Sequence, residues 1–120
     1  MDYVKPAELI TDSLQAAENK ASLPLRDLLV RGFLAGAFLG YATSLTIIIR
    51  AQGLPPFLGA AVFPVGFVLL VLLGLELATG NFVLLPIGIA DRRVKWSQLW
   101  HNWSWVYLAN LIGSVFYGIL

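Results

Sequence analysis

Glu76, Thr79, Gly80 and Asn81 stand together in "GLELATGN", residues 74–81, between the apolar runs "PVGFVLLVLL" and "FVLLPIGIA". Their side chains suit a path for a small anion better than a catalytic step. The Thr79 hydroxyl can donate to an anion or to a neighbouring side chain, and the same hydroxyl can bond backwards to its own helix turn. An ionised Glu76 is an awkward anion ligand, so it reads as an acceptor for the loop's own N–H groups, or as a protonated acid. Gly80 permits a sharp turn of the backbone. Phe63 and Phe67, four residues apart on the segment leading in, fit a hydrophobic gate or plain helix packing. One acid in the apolar region, one histidine elsewhere and no cysteine provide neither a nucleophile with its base nor a set of metal ligands. An enzyme is therefore not expected, and neither is a cofactor or a metal.

These residues need a membrane-embedded frame. Of the 120 residues, 58% are hydrophobic and 12% charged, whereas charged residues approach a quarter of an ordinary soluble chain. The net charge of +1 leaves no basic stripe of the kind nucleic acids require. Residues 32–49, "GFLAGAFLGYATSLTIII", are uncharged and close to the roughly 20 residues that cross a bilayer core. Gly32, Gly36 and Gly40 share one face of this first span, where a second helix can approach closely.

From residue 54 to residue 90 the only charge is Glu76, and one continuous helix of that length would extend about 55 Å at ~1.5 Å per residue. Charge bias decides how often it crosses. Lys5, Lys20, Arg26 and Arg31 precede the first span, Arg50 alone follows it, and Arg92, Arg93 and Lys95 lie beyond residue 90. Positive-inside alternation puts the N-terminus and residues 91–95 in the cytoplasm, so residues 54–90 cross once. The surplus length must go into a break, expected at 76–81 where helix propensity is weakest. The second half of the broken helix is expected to start near Asn81 or Phe82, with its free N–H groups suited to an anion. A third span covers residues 99–120. Trp96, Trp100 and Trp103 at its start read as interfacial anchors, and His101 beside them as an interfacial histidine. Residues 1–27, with Leu9, Ile10, Leu14, Ala17 and Ala21 at helical spacing, predict an amphipathic helix on the cytoplasmic face. Residues 28–120 form the transmembrane part.

Together, Glu76-Leu77-Ala78-Thr79-Gly80, Asn102-Trp103, Tyr107 with Asn110-Leu111 and Gly113, and "RGFLAGAFLGYA" from Arg31 resemble the first half of the formate/nitrite transporter family. The resemblance implies an all-α, aquaporin-like membrane protein of two inverted three-helix repeats. It also implies pentamers with one pore per subunit, conducting small monovalent anions such as formate or nitrite. It places Leu77 at the inner constriction, Thr79 in the loop at the pore centre, and Phe63 and Phe67 near the outer constriction. Glu76, Gly80 and Asn81 would support the loop, and Asn110 would pack the third helix on its neighbours. The family's usual phenylalanine after the leucine is Ala78 here, which predicts a wider inner constriction or another group closing it. His101 does not correspond to the family's pore histidine, which belongs to the second repeat. The chain thus reads as the N-terminal half of a longer anion transporter in the cytoplasmic membrane, its C-terminal repeat missing. The alternative is a membrane-embedded assembly or anchor subunit without transport of its own.

Overall fold

The computed structural model describes residues 3–120. Its six helices are α1 (Pro6–Ala21), α2 (Leu25–Ala51), α3 (Pro56–Val62), α4 (Val65–Leu72), α5 (Ala78–Ala90) and α6 (Trp96–Ile119), with no strand among the described residues. Among those residues α2 alone is long and apolar enough to cross a bilayer by length and composition, while 56–72 and Ala78–Ala90 are shorter apolar helices.

Proline and glycine set the helix boundaries. Pro6 opens α1, where its missing N–H is harmless, and the Glu8 carboxylate accepts from the Lys5 N–H at 3.4 Å. Pro24, held extended at φ −60° and ψ 151°, starts α2 at Leu25, ahead of the expected boundary after residue 27. Arg26, Asp27 and Arg31 therefore lie in the first two turns of α2 rather than before it. Leu14 and Ala17 of α1 are buried, Ala17 in a cluster with Leu85, Val94 and Leu99 on which Ala21 packs. Leu9 and Ile10, expected on the same apolar face, are exposed, so α1 docks on α5 and α6 through its C-terminal half.

The pair α2 and α6 forms the spine. A Cβ on Gly32 would stand 2.7 Å from that of Ala109, one on Gly36 would overlap the Asn110 carbonyl oxygen, and one on Gly40 would press on the Tyr117 ring. Gly113 returns the contact against the Phe33 carbonyl. Ser114 Oγ donates to the Gly36 carbonyl at 3.1 Å.

The apolar stretch of residues 54–90 is interrupted twice, where one break was expected. Helix α3 stops at Phe63 because Pro64 has no N–H to continue the ladder and its ring crowds the carbonyl four residues back. The main break covers residues 73–77. Gly74, at φ +62°, donates to the Val71 carbonyl at 3.2 Å, and Leu75 donates to that of Leu70 at 2.9 Å. This is a Schellman ending, which needs a left-handed residue that glycine adopts without strain. The sharp turn expected at Gly80 is therefore made by Gly74, and Gly80 lies inside α5 with open space beside it. Helix resumes at Ala78, three residues before the expected Asn81, because its first N–H finds a partner on another helix.

Candidate functional site

That partner is Asn110 of α6. Its Oδ1 accepts from the Ala78 N–H at 2.9 Å, while its Nδ2 donates to the Gly32 carbonyl at 2.8 Å and to the Glu76 carbonyl at 2.9 Å. One amide thus fastens α2, the break and the start of α5 to α6. A side-chain oxygen that accepts from the first turn is the usual remedy for a helix's orphan N–H groups; here a distant helix supplies it. Asn110 is more than the packing residue expected.

The Glu76 side chain is buried, at 4% relative exposure. Its Oε1 pairs with Lys20 Nζ at 2.9 Å and its Oε2 accepts from Asn81 Nδ2 at 2.9 Å. Asn81 Nδ2 also donates to Asn102 Oδ1 at 2.8 Å, and Asn102 Nδ2 donates to the Lys20 carbonyl at 3.0 Å. The four residues close a ring through α1, the break, α5 and α6. Trp103 Nε1 donates to the Asn81 carbonyl at 3.1 Å. The expectation that Glu76 holds the loop's own N–H groups is therefore corrected: its carboxylate holds an ammonium and a side-chain amide. Asn81, expected as a helix weakener in the loop, is fully buried in α5, and its Oδ1 has no partner.

At the start of α5, Ala78 N–H is capped by Asn110 and Asn81 N–H bonds the Leu77 carbonyl at 3.1 Å. The N–H groups of Thr79 and Gly80 have no such partner among the described residues. The Thr79 hydroxyl is exposed and makes no hydrogen bond there, so the backward bond considered for it does not form. Leu77, Gly80, Phe67, Lys20 and Arg31 line a cavity of about 470 Å³ beside the break. Phe63 stacks edge-on against Phe67, with ring centroids 5.6 Å apart, and does not itself line the cavity. Ala78 packs with Leu28 and Val106, away from the cavity.

The remaining candidates lie elsewhere. His101 is exposed, and no group of residues among those described could hold a metal ion. Trp96 and Trp100 are exposed, whereas Trp103 is half-buried against Phe82, with ring centroids 4.9 Å apart. Arg93 bridges Asp91 at 2.8 Å and Glu18 of α1 at 3.4 Å.

The sequence profile of the formate/nitrite transporter family matches residues 7–120. The chain belongs to the formate/nitrite transporter family. It is 41% identical to the uncharacterized transporter YrhG of Bacillus subtilis over 97% of its own length and 46% of that protein's. It is 37% identical to a probable formate transporter of Methanothermobacter thermautotrophicus, over 95% of the chain and 44% of the relative. With the formate channel BtFdhC of Bacillus thuringiensis it shares 34% identity, over 97% and 47%. The chain spans about half the length of the curated relatives it matches. No solved structure matches significantly.

The formate/nitrite transporter family comprises channels and transporters, not enzymes. For this family member, reading residue by residue missed Lys20 and Asn102. Lys20 counted there only as one of the cytoplasmic cations, and the 56 residues between it and Glu76 hide the pair from any local pattern. The signal for Asn102 was present, since Asn102-Trp103 is part of the family resemblance.

Proposed function

We propose that the chain forms one repeat of a membrane channel or transporter for small monovalent anions such as formate or nitrite. Leu77, Thr79 and Gly80 would line its path. The observation that carries this reading is the start of α5, where the N–H groups of Thr79 and Gly80 and the exposed Thr79 hydroxyl are unpartnered and Gly80 lies on the wall of the cavity at the break. Such a helix start favours negative charge, and irregular backbone at membrane depth is tolerated where protein buries it or water reaches it. Family membership supports transport as the activity, and relatives of about twice the length support a second repeat that closes the path. By the resemblance, that repeat is inverted, the fold aquaporin-like and the assembly pentameric. Leu77 then narrows the path on the inner side, and Phe63 and Phe67 shape the outer side.

Thr79 tests the reading. In the complete protein, Thr79→Val keeps the side-chain shape and removes the hydroxyl, so a group that bonds it at the barrier loses about 1–3 kcal/mol. Formate uptake per folded oligomer is expected to fall by about tenfold, since ~1.4 kcal/mol is a factor of ten. Uptake equal to the unmodified protein's would remove Thr79 from the path.

In this reading the membrane is crossed by α2, by α3 to α5 as one broken span, and by α6, whose 24 residues extend about 36 Å. The distribution of Lys and Arg supports a cytoplasmic N-terminus and a cytoplasmic loop at 91–95. A cysteine introduced at Gln52 is expected to react with an impermeant thiol reagent added outside cells, and one at Arg93 to be spared. The opposite pattern would invert the topology.

A further inference from the structure

We propose that Arg31 draws the anion into the cavity beside the break, a role that rests on the transport reading. Three charged residues line this cavity: Lys20, Arg31 and Glu76. Lys20 and Glu76 largely cancel, with ammonium and carboxylate 2.9 Å apart. Arg31 is held far less. Its Nη2 lies 3.8 Å from Asp27 Oδ2, both side chains being about two-fifths exposed, and such a pair is weak and screened by solvent. Its Nη1 lies 3.5 Å from the Gly74 carbonyl, the outer limit of a hydrogen bond. Asp27 does not line the cavity, so Arg31 supplies its uncompensated charge.

The geometry assigns a recruiting role rather than a filtering one. About 470 Å³ accommodates a small anion with several waters, since each water occupies ~30 Å³ of liquid. The anion can therefore arrive without losing its hydration. A guanidinium presents forked donors that match the two oxygens of a carboxylate, which suits formate and other small planar oxyanions. Gly80, whose N–H is free at the start of α5, lies on the same cavity wall.

A reporter thiol reads the charge of the cavity without depending on transport. The 120 residues contain no cysteine, and a Cβ at Gly80 meets nothing within 4 Å. In the complete protein, with Gly80→Cys as its single cysteine, the rates of modification by an anionic and by a neutral methanethiosulfonate are compared. Their ratio cancels changes in thiolate fraction common to both. Arg31→Gln is expected to lower the anionic-to-neutral ratio about two- to fivefold, as loss of one nearby charge implies, and Arg31→Lys to restore it. With Gly80 native, Arg31→Gln should raise the KM for formate severalfold while leaving the maximal rate unchanged. An unchanged ratio, an unchanged KM, or a thiol that neither reagent reaches overturns the role of Arg31. Absence of formate uptake by the unmodified protein instead counts against the transport reading, and the thiol ratio then decides the part played by Arg31.

Discussion

Glu76→Ala is expected to remove most of the folded protein. The substitution leaves the Lys20 ammonium and an Asn81 N–H facing an empty space where a buried carboxylate accepted both. Removing one partner of a buried ion pair costs about 3–5 kcal/mol, and the partial exposure of Lys20, at 21%, argues for about 3. Against a total stability of roughly 5–15 kcal/mol, that is a large share. Glu76→Gln keeps the shape and one acceptor, so its loss is expected to be smaller. Lys20→Met combined with Glu76→Gln should recover part of it, because no charge is then left unpaired. The amount of monodisperse protein on size-exclusion chromatography and its thermal midpoint measure the effect. A midpoint for Glu76→Ala within a degree or two of the unmodified protein would show that the ring does not hold the break.

Gly36→Ala is expected to be at least as damaging, by a different route. The new methyl group would overlap the Asn110 carbonyl oxygen and lie 2.8 Å from its carbon and 2.9 Å from the Ser114 nitrogen. All three are backbone atoms, so no side chain can swing aside and the two helices must separate. Overpacking of a tight contact costs about 1–3 kcal/mol and occasionally more. Here the separation also stretches the bonds from Asn110 to Gly32 and from Ser114 to Gly36. A loss of about 3 kcal/mol or more is expected. Gly118→Ala is the control, since a methyl group there meets nothing within 4 Å, and it should behave like the unmodified protein. Equal thermal midpoints for the two variants would mean that α2 and α6 are not packed this closely.

Particular residues show what a linear reading of the chain captures. A lone acid among 37 residues without another charge, residues 54–90, was a legible sign that the apolar stretch is interrupted, and the structure interrupts it next to Glu76. The register of the interruption was less legible. Weak helix formers at 79–81 pointed to a loop there, yet Asn110 caps Ala78 from 32 residues away and draws those residues into helix. Propensity has no access to such a partner. Gly74 was the better marker, because a glycine just beyond an apolar helical run is where a left-handed ending forms. Pro64 carried an equally local signal for the earlier interruption. The pairing of Lys20 with Glu76 had none, since it depends on the path of α1 back over α5.

The Asn110 clasp also bears on the order in which the protein is made. When synthesis has reached Ala90, the apolar segments on both sides of the break are complete, but neither Asn102 nor Asn110 has been added. The Ala78 N–H and the Glu76 carbonyl that Asn110 will engage must then find water or another protein. At ~5–20 residues per second this interval lasts about one to four seconds. Over that time the nascent break is a polar defect whose remedy is encoded downstream, and a chaperone or insertion machinery that shelters it until α6 emerges would be acting at the most vulnerable point of biogenesis.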